Sequence, residues 1–227
     1  MQYIESSVIG IRSAVIRLKH RVTPLSFVLI PMVHVAEPEF FREVAELAGT
    51  CALIVAEGAP SRYAPLQAMM AGVRWDRLVD QLTALDLEAL GVPVQWEYVL
   101  DDRPKTGLEQ AMDKAGDAAA AVALRALGRY GNPLGRLPSL DQADEHDDRL
   151  ERAGGGPLGR LFASQLSGRD AQLVKALTAI HAGRQHEPVT IAVVFGALHI
   201  PAVVDCLTEK HGYRVAGARW LMVARAS

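Results

Sequence analysis

Three side chains that can carry chemistry stand where apolar strand patterns end: His34 after Ser26–Val33, Glu57 after Cys51–Ala56, and His199 shortly after Thr190–Phe195. In open α/β sheets ligands collect outside the carboxyl ends of the strands, because strand-to-helix loops and helix N-termini converge there. Adjacent parallel strands lie about 5 Å apart. Side chains from two or three such ends could therefore meet around one ion or one water. Two neutral imidazoles and one carboxylate suit Zn²⁺, Mn²⁺ or Co²⁺ and leave positions open for water and substrate. Such an ion brings the pKa of its bound water to about 7 and polarises a carbonyl, which makes hydrolysis the natural reaction class. The long-range spacing is less specific than a His-Glu-x-x-His helix.

Each residue also has a purely structural reading. His34 could cap the helix that follows it. Glu57, directly after an apolar strand, needs compensation for its desolvation, and a salt bridge to Arg62 would supply it. His199 stands just before Pro201 near a helix N-terminus, whose dipole favours the neutral ring, and Gly196 lets the backbone turn sharply or approach a ligand closely. Arg169 and Asp170 are expected to open a helix after Ser167-Gly168. Asp170 then serves the first turn as a cap or dipole partner, while Arg169 reaches a substrate carboxylate or Glu57. The acidic cluster Asp141, Asp144, Glu145, Asp147 and Asp148 lacks the ligand pattern of an EF-hand loop and reads as a solvated face. No phosphate-cradling glycine loop follows a strand and no Gly-x-Ser-x-Gly elbow is present, which disfavours nucleotide binding and serine hydrolase chemistry.

The elements that must position these groups follow from periodicity. Val8–Leu18 reads as a strand, and Ser26–Val33 as a strand apolar enough to be buried on both faces. Glu37–Gly49 is a three-turn amphipathic helix, with Pro38 at its first turn and Gly49 as its C-terminal cap. Cys51–Ala56 completes a right-handed βαβ unit over residues 26–56, so a parallel sheet core is expected. From Pro60 to Gly91 the pattern is helical, with Leu66, Met69, Met70, Leu78, Leu82, Leu85 and Leu90 on apolar stripes. Val92–Val99 suits a strand carrying Trp96, and Gly107–Leu127 is alanine-rich and helical. Residues 128–159 mix glycine, proline and charge, as an exposed flap or insertion does. A helix over Arg169–Gly183, a strand over Thr190–Phe195, a helix over Pro201–His211 stopped by Gly212, and a strand over Tyr213–Val223 close the chain.

Composition bounds the function classes. The chain has 227 residues, half of them hydrophobic, so a sizeable core in one domain is expected. The 24 basic and 26 acidic residues leave a net charge of only −2, and nothing global draws the chain to nucleic acid or an anionic membrane. Its two cysteines, Cys51 and Cys206, sit among apolar neighbours and read as small core residues. No apolar run reaches the roughly 18 to 20 residues that span a bilayer. The first 23 residues lack the basic region and apolar run of a secretory signal, so a cytoplasmic location is expected.

Taken together, Val28-Leu29-Ile30-Pro31-Met32-Val33-His34, Phe40-Phe41-Arg42-Glu43-Val44, Leu53-Ile54-Val55-Ala56-Glu57 with Arg62, and Val193-Val194-Phe195-Gly196-Ala197-Leu198-His199 resemble the TraB/TIKI/GumN group. That group belongs to a wider superfamily with ChaN-like and erythromycin-esterase-like proteins. It is marked by two Gly-x-x-His motifs, a glutamate ending the strand after the first, and an Arg-Asp pair before the second, which Arg169-Asp170 resembles. The likeness covers roughly residues 8–63 and 167–223. Pro31 departs from the pattern, standing where the first motif has glycine; it removes a backbone donor and fixes φ.

The resemblance implies one α/β domain with a central mixed, largely parallel sheet flanked by helices, and a helical insertion at about residues 64–160. It also implies His34, Glu57 and His199 as metal or catalytic positions, with Arg169 and Asp170 in support. Activity in the group is best established for TIKI proteins, which are metal-dependent peptidases. The leading expectation is therefore a hydrolase using Mn²⁺, Co²⁺ or Zn²⁺ on a peptide or amide bond. His34 and His199 would be ligands, Glu57 a ligand or general base, and Arg62 a substrate contact. A peptide-binding or regulatory protein without turnover, motivated by Pro31, is the second reading; a metal-independent esterase-like hydrolase using His34 and Glu57 is the third. Oligomeric state is left open.

Overall fold

The computed structural model describes residues 2–33, 35–57, 79–96 and 157–226. They form a seven-stranded mixed sheet with helices on both faces and a separate two-stranded ribbon. In chain order come β1 (Ile4–Ser7), β2 (Gly10–His20), β3 (Ser26–Met32), β4 (Val35–Ala36), α1 (Pro38–Gly49), β5 (Leu53–Ala56) and β6 (Val79–Asp80). Then follow α2 (Gln81–Ala84), a 3₁₀ turn (Glu88–Leu90), β7 (Val94–Trp96), α3 (Pro157–Arg184), β8 (Thr190–Gly196) and a 3₁₀ turn (Ala197–His199). Last are α4 (Ile200–Asp205), a π turn (Cys206–Lys210) and β9 (Tyr213–Arg225).

The sheet has two halves. β3, β8, β5 and β7 lie side by side and are parallel throughout. β2 is antiparallel to β1 and β3 along one edge and to β9 along its whole length on the other. Three parallel pairings thus stand against three antiparallel ones among the described residues, so the sheet is mixed rather than largely parallel. The reason is local. The expected single strand Val8–Leu18 is the outgoing arm of a hairpin, with Val8 and Ile9 exposed at its tip, and the long β9 folds back antiparallel along it. β3 and β5 are parallel, but β8 lies between them.

Side chains alternate across the sheet as period-2 geometry requires. Val28, Ile30, Met32, Ile54, Ala56, Ala192 and Val194 meet Phe40, Phe41, Val44 and Ala48 of α1. On the other face Phe27, Leu29, Val55, Ile191, Val193 and Phe195 meet Leu173, Leu177 and Ile180 of α3 and Val203 of α4. Residues 27–30 and 191–195 are buried without interruption, which explains why these strands are apolar on both faces. Their burial is the chief stabilising contribution; emptying a site such as Phe195 by substitution with alanine costs about 3–5 kcal/mol.

Pro38 occupies the first turn of α1, while Gly49 is its last helical residue and the αR residue Thr50 is the cap. The Thr50 hydroxyl donates to the Leu47 carbonyl at 2.7 Å, so no left-handed glycine is needed. Helix α3 is longer than the expected Arg169–Gly183, and Arg169 and Asp170 lie in its interior instead of opening it. Gly212, at φ +73, ends the helical run before β9 as expected. Of the expected helical stretch Pro60–Gly91, residues 60–78 lie outside the described residues, while the rest forms β6, the four-residue α2 and a 3₁₀ turn instead of a continuous helix; the expected helix at 107–127 and most of the 128–159 segment also lie outside. No described helix is long and apolar enough to cross a membrane.

Candidate functional site

The carboxyl ends of β5 and β8 are tied together through Glu57. Its backbone N–H continues the ladder by donating to Val194 at 3.0 Å. Its carboxylate accepts from the Gly196 N–H at 2.6 Å and from the Arg169 guanidinium at 2.6 Å, one on each oxygen. The Glu57 side chain is 7% exposed and that of Arg169 36%. An anion at this depth needs charge-assisted partners, and the pair is that compensation. The second Gly196 role is steric. A Cβ there would lie 2.9 Å from Glu57 Oε2, closer than real Cβ atoms come, so a side chain at this position would require the carboxylate to shift.

The next residue of α3 makes the second pair. Asp170 Oδ1 lies 2.6 Å from His199 Nδ1, with the His199 side chain 4% exposed and Asp170 28%. His199 ends the 3₁₀ turn after β8, and its ring stands edge-on to Phe195 at 6.0 Å between centroids. A carboxylate on Nδ1 places the ring proton there in the neutral tautomer and leaves Nε2 as the nitrogen with a lone pair to offer. Consecutive residues of one helix thus hold the ends of two neighbouring strands, one through Glu57 and one through His199.

Among the expected site residues, Glu57, Arg169, Asp170 and His199 are brought together in this way. Asp170 is not a helix cap: it is an interior residue of α3 whose carboxylate is used by His199. The compensating cation seen on Glu57 is Arg169. His34 and Arg62 lie outside the described residues. Among the described residues no group of three His, Cys, Asp or Glu side chains is gathered as a metal site.

The structure adds two residues to the machinery at the strand ends. Pro31 belongs to β3 and stands opposite Phe195 in the parallel ladder. Its carbonyl accepts from the buried Ser13 hydroxyl at 2.6 Å. The β2–β3 pairing runs only from Ile16↔Leu29 to Lys19↔Ser26, and beyond it the Ala14 N–H turns to Tyr3 of the β1 side. The missing N–H of proline therefore falls where the ladder has already ended, and Ser13 satisfies the carbonyl. Nothing in the local sequence marks Ser13, because its partner is 18 residues away on a strand it does not directly pair with. No protein-family model, no curated protein and no solved structure matches this chain.

Proposed function

We propose that the crevice at the ends of β5 and β8 is a hydrolytic site of peptidase type, acting on a peptide or amide bond with a divalent ion as cofactor. The observation that carries this reading is the Asp170–His199 pair standing beside the Arg169–Glu57 pair on consecutive residues of α3. A histidine whose Nδ1 is held by a carboxylate is the arrangement in which Nε2 serves as a metal ligand or proton acceptor. The order of the Glu57, Arg169-Asp170 and Gly196-x-x-His199 motifs along the chain, similar to that of the TraB/TIKI/GumN group, supports the same reading.

The donor set fits a divalent ion in its chemistry. His199 offers Nε2 and Glu57 a carboxylate, and His34, which follows β3 in the chain, would complete two imidazoles and one carboxylate. When bound, Mn²⁺, Co²⁺ or Zn²⁺ would supply an acidified water and a polarised carbonyl. Arg169 holds Glu57 as an anion and fixes its orientation. Asp170 fixes the His199 tautomer and stabilises the ring if it takes a proton. Gly196 keeps the carboxylate close to β8.

The closeness of Arg169 to Glu57 favours a second reading, in which Glu57 and the histidines act on an ester or amide without metal, since a cation already occupies one carboxylate oxygen. A peptide-library cleavage assay with and without chelator, beside calorimetry with Mn²⁺, Co²⁺ and Zn²⁺ on stripped protein, separates the readings. Cleavage lost in chelator, with metal binding lost in His34→Ala and His199→Ala, supports the metal-dependent hydrolase. Cleavage retained in chelator moves the protein to the metal-free reading. Peptide binding without cleavage under either condition overturns both and leaves a binding or regulatory protein.

A further inference from the structure

A second cluster of titratable side chains lies at the opposite end of the sheet. The registers Ser26↔Thr190, Lys19↔Ser26 and His20↔Tyr213 set the end of β2 and the start of β9 at the amino-terminal edge of the parallel strands. Here α3 brings down His181, the turn before β9 contributes His211, and β2 ends in His20. The ring centroids of His181 lie 4.5 Å from His211, 6.0 Å from His20 and 5.6 Å from Tyr213. Tyr213 is also 5.2 Å from His20. Three segments far apart in sequence meet through these rings, and none of the four residues belongs to the site at the other end.

The hydrogen bonds suit neutral imidazoles. His181 Nδ1 lies 3.1 Å from the Tyr213 hydroxyl. Burial pushes that phenol up to about 12, so it keeps its proton and can donate it to a ring nitrogen that carries none. His20 Nδ1 accepts the backbone N–H groups of Val22 at 3.2 Å and Thr23 at 3.0 Å, and a proton on that nitrogen breaks both bonds. His211 Nε2 meets the Thr178 hydroxyl at 3.2 Å. Burial, His211 and His20 act on His181 in that order, and burial, Lys210 and His20 act on His211; among the described residues no carboxylate acts on either ring. Both rings are therefore held below the usual imidazole range.

We propose that His20, His181 and His211, with Tyr213, form an acid-operated latch that fastens the carboxyl end of α3 to the β2–β9 corner, closed when the rings are neutral and released when they are protonated. Two or three imidazolium ions at these separations, beside Lys210, repel one another, and a proton on His20 Nδ1 also breaks its two backbone bonds. The sign follows from linkage. A base held below its unfolded value keeps its full stabilising contribution above about pH 6.5 and loses it as pH falls from there through the folded value, because the unfolded chain takes up protons first. Helix α3 carries Asp170 eleven residues, about 16 Å, before His181, so the released element is the one that also holds His199. The latch does not depend on the hydrolase reading.

The test is hydrogen exchange on the full chain from about pH 7.5 to about pH 5, corrected for intrinsic rates, which spans the ordinary imidazole range. Protection of the peptide from Thr178 to Tyr213 should fall on acidification while that of α1 holds, and the fall should be lost in the double variant His181→Gln, His211→Gln, whose amides can still meet Tyr213 and Thr178. Exchange that is no more acid-sensitive there than in α1, or a fall that persists undiminished in the double variant, overturns the latch. Should the double variant not fold, ring titrations by NMR in the wild type decide instead. His181 and His211 titrating below free imidazole support it; titration at or above the free value overturns it.

Discussion

The ends of β3 and β8 carry the same spacing, Pro31-x-x-His34 and Gly196-x-x-His199, on neighbouring parallel strands, yet the residues that open the two motifs do different work. Gly196 is defined by what presses against it: its N–H is bonded to Glu57 Oε2, and that oxygen fills the space a side chain would take. Pro31 is defined by what it lacks, at a place where the β2–β3 ladder has ended and Ser13 takes its carbonyl. The ladder pairs Met32 with Gly196, so the two motifs are also offset by one residue. Equal spacing therefore does not make equal positions. A side chain would press on the carboxylate only on the strand that lies against it, and the proline in the first motif is accommodated by the sheet rather than being a defect in it.

Four substitutions can break or sharpen this contrast. Arg169→Met takes the guanidinium from the buried Glu57 carboxylate, and breaking a buried pair of this kind costs about 2–3 kcal/mol after allowance for the part-exposed guanidinium; urea unfolding measures it, and Lys should restore only a fraction. Gly196→Ala forces a Cβ into the carboxylate and should cost about 1–3 kcal/mol, with a further loss of any site function because Glu57 must move. An alanine tolerated there without change would show that β8 yields easily and that the contrast is illusory. Ser13→Ala strands the Pro31 carbonyl and should cost about 1 kcal/mol. Pro31→Ala should be the mildest, within about 1 kcal/mol of wild type, because the restored N–H faces a ladder that has already ended. Thermal unfolding of the last two variants ranks them directly, and a reversed order would mean that Pro31 is held for a backbone reason other than its place in the ladder.

A different contrast separates the middle of α3 from its carboxyl end. The middle pairs an imidazole with a carboxylate, His199 with Asp170, and the carboxyl end gathers three imidazoles with no carboxylate among the described residues. The sequence marks His199 clearly, since glycine, a strand and a following proline surround it. His20, His181 and His211 are spread over nearly the whole chain, and no local pattern distinguishes them from surface histidines. The same limit applied to Asp170. Read locally, an aspartate after Ser-Gly is a helix cap, but α3 begins at Pro157, and a residue in its interior can turn its carboxylate to a strand end 29 residues on.

Residue pattern was enough to give the buried strands Ser26–Met32, Leu53–Ala56 and Thr190–Gly196, the amphipathic α1 and the candidacy of Glu57 and His199, because burial on one or both faces writes a short period into the chain. It did not give the antiparallel half of the sheet, where the Val8–Ile9 hairpin tip continues the apolar pattern of the strand it precedes. Of the partners it offered only Arg169 for Glu57, as one of two alternatives; it did not give Asp170 on His199, Ser13 on Pro31, or the imidazoles around Tyr213. Those contacts join residues 18 to 193 positions apart, and they exist only once strand order and helix length have fixed which ends meet. Local composition governs which faces are buried, whereas the pairing of polar groups at the rim is set by register, a property that no single segment contains.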